Sequence, residues 1–273
     1  MAPDRPRQAG APAPLGPLAD TVRRHDPDRF LAILFAPPAQ RETLLLLAAF
    51  NHELARARDV ASEPGLALIR LHWWREVLQG ARRRHEVAEP LGAALDAGRL
   101  AADELADMVD AREAETAPAI ETLAAWHAYL AGTAGTFAVA AGRVLGAEAG
   151  VLARLRMLGA AYGVAGQLRS VAALARQGRC LLPLDVLGAH GLTAEAVVAR
   201  PDDPRLAPVF AALAREGRRL LRDGRGAMPR GVLAAALPAA LARRDLRRPG
   251  PASGPRGLAD KLAVTAAYVA GRV

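Results

Sequence analysis

Asp59 ends a predicted helical segment, 49–59, that has the spacing of a metal-binding face but few carboxylates. Two aspartates four residues apart lie on one face of a helix, about one turn apart. Two such faces, opposed across a bundle, can hold Mg²⁺ ions that bridge a diphosphate and stabilise it as a leaving group. Here Ala55 and Arg56 occupy the turn before Asp59. Asp59 is thus a single carboxylate on a face that would need a second one four residues away to hold such ions.

A second segment, 163–183, contains no acidic residue at all, and none occurs between Glu148 and Pro183. A metal site without anionic ligands on one wall binds Mg²⁺ poorly. We therefore expect no bound metal and no cofactor.

Arginines near the two segments offer a way to bind a diphosphate without metal, if the segments face each other, because a guanidinium donates paired hydrogen bonds to phosphate oxygens. Arg56, Arg169 and Arg179 are the candidates. The alternative for Arg56 is solvation or pairing with Glu53, and the sequence leaves both open.

The elements that must position these residues are helices. Alanine, leucine and arginine dominate, and strand formers are too scarce for a large sheet. We expect a disordered arm over 1–26, since the start is rich in proline and alanine, and one all-α helical bundle over 27–273. Periodicity, caps and breakers predict helices over about 27–35, 38–60, 62–83, 101–115, 118–145, 149–176, 183–188, 204–223, 230–243 and 258–269, and a short one capped by Thr193.

Composition excludes several other classes of protein. The net charge is +8, carried by arginine except for Lys261. Coding bias explains this charge, as does a surface that meets anionic lipid or a diphosphate, and both remain open. No basic run is interleaved with aromatic residues, so no nucleic-acid partner is expected. Cys180 is the single cysteine, which rules out a disulfide framework within the chain. The uncharged stretch 122–142 is interpreted as a core helix because its hydrophobicity is too low for a membrane span.

Other catalytic motifs are absent from the sequence. His52-Glu53 lacks a zinc-binding partner because Arg56, not histidine, follows four residues after His52. There is no Gly-x-Ser-x-Gly elbow, no glycine-rich phosphate loop and no cysteine nucleophile with a spaced partner. These absences leave the two helical segments as the candidate site.

Together the two segments resemble the two signatures of the squalene/phytoene synthase family. In the first, Ala49, Phe50 and Asp59 match Ala-Phe-Cys-Arg-x-x-Asp-Asp-x-x-Asp, while Ala55 and Arg56 replace the adjacent aspartates. The second is shortened by about one turn and has Ser170, Ala173 and Leu174 where Asn, Arg and Asp are usual. Its matching residues are Gly163, Ala165, Gln167, Gly178, Arg179, Leu182 and Pro183. The resemblance implies that Asp59 and Gln167 are remnants of catalytic groups.

Shorter pieces extend the resemblance over about residues 28–195. Phe30, Pro37 and Arg41 resemble the family's opening Phe…Pro-x-x-x-Arg, and Arg41 thereby becomes a fourth candidate diphosphate ligand. The runs 71–76 (LHWWRE) and 131–135 (AGTAG) resemble two further family motifs. The resemblance implies a helical fold of the isoprenoid synthase type with a prenyl cavity. The cavity candidates are Phe30, Phe50, Trp73, Gly132, Gly135 and Gly163, although Trp73 also fits the core or rim of the bundle.

Within that family, the losses and the run 49–59 are most similar to the branch of the mitochondrial assembly factor of respiratory complex I and its bacterial relatives. This resemblance implies a pseudoenzyme that acts in binding or assembly, with a respiratory-complex subunit or assembly factor as partner. The expected place is the cytoplasm or the inner membrane's surface, by peripheral contact. The alternatives are an active, Mg²⁺-dependent prenyltransferase that condenses farnesyl or geranylgeranyl diphosphate in isoprenoid biosynthesis, and a carrier of an isoprenoid or lipid.

Overall fold

The computed structural model describes residues 16–61, 63–252 and 254–273, and its regular elements are all helical, as the composition predicts. A π-helical turn covers Ala131–Gly135, and 3₁₀ turns cover Arg112–Glu115 and Pro204–Leu206. The α-helices are α1 Pro17–His25, α2 Pro27–Ile33, α3 Pro38–Asp59, α4 Pro64–Leu78, α5 Ala88–Asp96, α6 Ala102–Ala111, α7 Leu123–Leu130, α8 Thr136–Val144, α9 Ala149–Ala175, α10 Leu184–Ala189, α11 Ala194–Ala199, α12 Ala207–Asp223, α13 Leu233–Ala236, α14 Pro238–Asp245 and α15 Leu258–Ala270.

Helix α1 corrects the predicted disordered arm over 1–26. Pro17 takes the first helical position, where its missing N–H costs nothing, and Ala19 and Val22 are buried as α1 packs against α3. Two buried residues give too weak a periodic signal to stand out in a segment rich in proline and alanine. The part of the predicted arm before residue 16 lies outside the described residues.

Helix α5 was not predicted, and it contains Pro90 and Gly92, two residues of low helix propensity. Pro90 falls in the first turn, where a proline removes no intrahelical hydrogen bond. His85 Nδ1 accepts the backbone N–H of Val87 at 3.1 Å and so caps the turn. Helix α4 correspondingly ends at Leu78, before the predicted boundary near residue 83.

Several helix ends follow the capping signals in the sequence. The Asp26 carboxylate accepts the backbone N–H of Arg29 at the start of α2, and the Thr193 hydroxyl accepts that of Ala196 at the start of α11. Gly178 ends the helical course of the chain after α9 with a φ of 71°, a left-handed conformation that glycine adopts without strain.

The core surrounds two long helices, α3 and α9. Helix α9 packs against α8, α12, α14 and the π-helical turn, while α3 packs against α1, α4 and α8. The uncharged stretch 122–142 lies in the continuous helix formed by α7, the π-helical turn and α8, where Trp126 is fully buried. None of the described helices has both the length and the apolar character needed to span a membrane.

A close helix crossing sets the wall of the site. A Cβ at Gly159 of α9 would lie 2.4 Å from the Ala134 carbonyl oxygen, and one at Gly163 would lie 3.0 Å from the Ala134 Cβ. Only glycine allows α9 to approach the π-helical turn this closely. The crossing brings Gln167, one turn after Gly163, beside the helices that carry the other site residues.

Candidate functional site

Both predicted segments line one cavity of about 300 Å³. The 3₁₀ turn Arg112–Glu115, helix α7 and the end of α1 contribute further lining residues. Helix α3 contributes Asn51, His52 and Ala55, and α9 contributes Gly163 and Gln167. The two segments therefore face each other, which is the condition on which binding of a diphosphate by arginines depends. The remaining lining residues are His25, Asp26, Arg29, Arg112, Tyr129, Leu130, Thr133, Ala134, Tyr162, Gly166 and Ser170.

Asp59, the remnant carboxylate, is held by an arginine of the second segment. Arg179 Nη1 donates to Asp59 Oδ1 at 2.7 Å, and Arg179 Nη2 lies 3.4 Å from Glu115 Oε2. The Arg179 side chain is only 10% exposed. One guanidinium thus bridges two carboxylates from different parts of the chain.

Glu115 is the centre of a cluster of charges that adjoins the cavity through Arg112 and Tyr129, and its side chain is 6% exposed. Arg112 Nη1 donates to Glu115 Oε1 at 2.5 Å, and the Tyr129 hydroxyl donates to the same oxygen at 2.7 Å. Arg112 Nη2 also reaches Asn51 Oδ1 of α3, at 3.2 Å. We call Asp59, Arg112, Glu115, Tyr129 and Arg179 the arginine–carboxylate network.

Burial and charge fix the protonation states of Arg112 and Tyr129. Burial disfavours the charge of Arg112, but Glu115, with Tyr129 and Asp59, more than offsets it, so the pKa of Arg112 is raised above its usual value. Burial, followed by the negative charge of Glu115, raises the pKa of Tyr129 well above its usual value. Tyr129 is therefore a neutral hydrogen-bond donor.

The donor set does not fit Mg²⁺. Among the residues that the structure describes, no three His, Cys, Asp or Glu side chains are grouped so that they could hold a metal ion. The two carboxylates of the network, Asp59 and Glu115, already accept hydrogen bonds from Arg179, and Asp26 on the cavity wall accepts one from Arg29. A divalent cation would have to displace that guanidinium and would add positive charge where positive charge already balances the carboxylates.

The opposite rim of the cavity is also paired internally. Arg29 donates to Asp26 at 2.7 Å and lies 4.1 Å from the centre of the Phe137 ring. His25 and His52 stack with ring centres 4.4 Å apart. Burial, and then the neighbouring His25, lower the pKa of His52.

The structure does not bring the four candidate diphosphate ligands together. Arg41 donates to the Ala36 carbonyl, Arg56 pairs with Glu53 at an exposed position, and Arg169 pairs with Asp245. Only Arg179 belongs to the network. For Arg56 the alternative of pairing with Glu53 is the one seen.

Of the predicted cavity residues, only Gly163 lines this cavity. Phe50 is buried in the core against Trp74, and Trp73 lines a separate surface cavity of about 430 Å³. Phe30 lines a third cavity. Gly132 and Gly135 serve close packing, against Ala111 and Arg156 respectively.

Gln167 keeps a polar atom without a partner. Its Nε2 donates to the Tyr129 hydroxyl at 3.3 Å, while its buried Oε1 has no hydrogen-bond partner in the described part of the chain. Sequence reasoning identified Gln167 but missed Arg112, Glu115 and Tyr129. No spacing in the run 112–115 (REAE) distinguishes these residues from a solvated helix end.

The fold that carries this site is shared with proteins of known structure. The fold is similar to that of a dehydrosqualene synthase crystallised with ligand (TM-score 0.75, 15% identity, 93% of this chain and 94% of that one). It is also similar to squalene synthase HpnC from Alicyclobacillus acidocaldarius (TM-score 0.65, 16% identity, 93% and 92%). These similarities confirm the predicted all-α, single-domain bundle of the squalene/phytoene synthase type.

Curated relatives match over a short segment. Assembly factor 6 of NADH dehydrogenase (ubiquinone) complex I from Homo sapiens is 32% identical over 60 residues, which are 22% of this chain and 18% of that protein. The Bos taurus protein is 32% identical over 59 residues, with the same coverage. The matched segment is thus under a fifth of each relative's length. The family model for squalene/phytoene synthase matches residues 22–249, most of the chain, and the chain therefore belongs to the squalene/phytoene synthase family.

Proposed function

We propose that this protein is a non-catalytic member of its family that acts in binding or assembly, with assembly of respiratory complex I as its role. The arginine–carboxylate network is the observation that carries the proposal. Asp59 and Glu115 supply two negative charges, and Arg112 and Arg179 supply two positive ones, so the formal sum is zero.

A network without net charge attracts neither the Mg²⁺ ion nor the diphosphate that a prenyl synthase binds. Mg²⁺ needs an excess of carboxylates, and a diphosphate without metal needs an excess of cations. The neighbouring pair of Arg29 and Asp26 is balanced as well. The similarity to complex I assembly factor 6 supports the choice of partner, which is a subunit or assembly factor of the respiratory complex.

The first experiment tests the absence of catalysis. Purified protein is incubated with farnesyl or geranylgeranyl diphosphate and Mg²⁺, and pyrophosphate release is measured beside an active dehydrosqualene synthase as positive control. We expect no release above the rate without protein. Turnover that disappears in Asp59→Ala would establish the alternative, an active prenyltransferase.

The second experiment tests the assembly role. The gene is deleted in its host, and assembled complex I is measured by native gel electrophoresis and NADH oxidation. We expect loss of the assembled complex and its recovery when the wild-type gene is returned. Full assembly in the deletion strain would refute the role in complex I.

A second candidate function is binding of an isoprenoid or lipid alcohol in the cavity. The unpartnered Oε1 of Gln167 favours it, because this atom can accept a hydroxyl hydrogen bond at the cavity wall. Farnesol should raise the thermal unfolding midpoint of the wild-type protein and leave that of Gln167→Leu unchanged. Equal shifts for both proteins, or none, would contradict this candidate.

A further inference from the structure

A separate cavity of about 860 Å³ lies between the loop after α12, helix α14 and helix α15. It shares no lining residue with the cavity between α3 and α9. Five arginines line it: Arg244, which forms an ion pair, and four that form none within the described residues, Arg225, Arg243, Arg247 and Arg272. We call this feature the arginine cavity.

The four arginines are not neutralised by the fold. Within the described residues none of them forms an ion pair, whereas the adjacent Arg244 pairs with Asp260 at 2.7 Å. Burial, and then repulsion from the other three, lower the pKa of Arg243. Assembling like charges around one cavity is unfavourable unless an anion occupies it. The cavity therefore has the charge of a phosphate-binding site.

The remaining walls of the arginine cavity are small and apolar. Alanines of α14 and α15 leave the space between the two helices open, and they offer no carboxylate or amide that would compete for the guanidinium groups. These alanines are Ala240, Ala263, Ala266, Ala267 and Ala270.

An apolar stripe flanks this cavity on the outer face of α15. Leu258, Leu262 and Val269 are 72%, 58% and 69% exposed, and their spacing of four and seven residues places them on one helix face. Ala266 lies one turn after Leu262, so the stripe borders the lining face of the same helix. An apolar helix face beside clustered basic residues is the arrangement of proteins that bind anionic membrane surfaces.

We propose that the arginine cavity and the apolar stripe of α15 together bind the phosphate headgroup of an anionic lipid at a membrane surface. A soluble phosphate would neutralise the arginines but leave Leu258 and Leu262 in water, whereas a lipid surface covers both features. This inference is independent of the proposed function, because it concerns neither the arginine–carboxylate network nor complex I.

Vesicle co-sedimentation tests the proposal with the full-length protein. We expect binding to vesicles of phosphatidylcholine mixed with phosphatidylglycerol, and none to phosphatidylcholine alone. Arg243→Ala/Arg247→Ala should lower the partition coefficient by about 25-fold, since each basic residue at an anionic surface contributes a factor of about five. The control Arg84→Ala/Arg99→Ala removes the same charge from exposed positions in loops on either side of α5 and should stay within about twofold of wild type.

Further variants separate the alternatives. Arg225→Ala/Arg272→Ala repeats the charge test at exposed positions if the first pair does not fold, as judged by circular dichroism. Leu258→Ser/Leu262→Ser should weaken vesicle binding without changing the binding of inorganic phosphate measured by calorimetry.

Several results would overturn the proposal. Equal sedimentation with both kinds of vesicle, or an equal loss in the control, would show that the arginine cavity is not the site. Binding of inorganic phosphate without binding to mixed vesicles would assign a soluble anion instead. A wild-type dimer that Leu258→Ser/Leu262→Ser converts to monomer would show that a second copy covers the stripe.

Discussion

Glu115 shows how a single side chain can determine what a site is able to bind. Its two oxygens accept from Arg112, Tyr129 and Arg179, so three of the roughly four lone-pair sites of the carboxylate are used inside the protein. A metal ion would have to compete with these three donors for the carboxylate. Removal of the carboxylate would leave two buried guanidinium groups short of a partner.

Glu115→Gln should therefore lower the free energy of unfolding by about 3 kcal/mol, the usual cost of leaving a buried charge unpaired. Glu113→Gln is the matched control, because Glu113 lies two residues earlier, is 46% exposed and pairs with Arg75. Its cost should be under about 1 kcal/mol. Urea unfolding of the three proteins measures both values, and similar losses for the two variants would contradict this account of Glu115.

His52 makes stability depend on pH. Its pKa is lower in the folded state than the usual value of about 6.5, so the unfolded chain takes up the proton first as pH falls. The stability that neutral His52 contributes is present above about pH 6.5 and is lost as pH falls through the folded-state pKa. His52→Gln should lose less unfolding free energy than wild type between about pH 7.5 and pH 5. Parallel curves in urea titrations at each pH would rule this out.

At the scale of elements, the crossing of α9 with the π-helical turn holds the site together. Gly159→Ala places a Cβ 2.4 Å from the Ala134 carbonyl oxygen, which forces the helices apart. We expect a loss of about 1–3 kcal/mol. Gly166→Ala on the same helix meets no atom within 4 Å and should gain about 0.5–1 kcal/mol from helix propensity. Thermal unfolding measures both, and a gain for Gly159→Ala would contradict the packing argument.

The sequence could predict those elements whose signals are local. Helices α3 and α9 carry apolar residues at helical spacing along most of their length. Asp26 marks a helix start by its capping carboxylate, and Gly178 marks a helix end by its left-handed backbone. Helix α5 escaped prediction because the side chain of His85, outside the helix, supplies its cap.

The site was less predictable than the fold, because its pairs are long-range. Arg179 and Asp59 are 120 residues apart in sequence. Other charged residues lie nearer to each of them along the chain, so the sequence does not indicate that these two form a pair. The resemblance to the family's signatures indicated which carboxylates are missing from the two segments. It did not show that Glu115 and Arg112 stand beside the gap, since no pattern in residues 112–115 differs from an exposed helix end.

At the scale of the whole molecule, Arg256 joins distant parts of the chain. It donates to Asp28 of α2 at 2.8 Å and to Asp245 of α14 at 2.8 Å, and Arg169 of α9 also contacts Asp245. The Arg256 side chain is 10% exposed. Burial opposes its charge, but the hydrogen bonds of Asp245 and Asp28 hold the pKa of Arg256 above its usual value.

Arg256→Met should cost about 3 kcal/mol, since it leaves two shielded carboxylates facing each other. For a chain of this size that loss lowers the thermal midpoint by roughly 6–12 °C. Arg219→Met, which removes a 47% exposed guanidinium paired within α12, should cost no more than about 1 kcal/mol. Calorimetric midpoints distinguish the two, and equal shifts would refute a linking role for Arg256.

The arginine–carboxylate network also determines how the protein responds to its surroundings. A guanidinium group is covalently attached to the chain, so it cannot be removed by EDTA, exchanged for another ion or lost on dilution. The interior charge of this bundle is therefore fixed when the chain is synthesised, and neither a shortage nor an excess of magnesium in the compartment alters it.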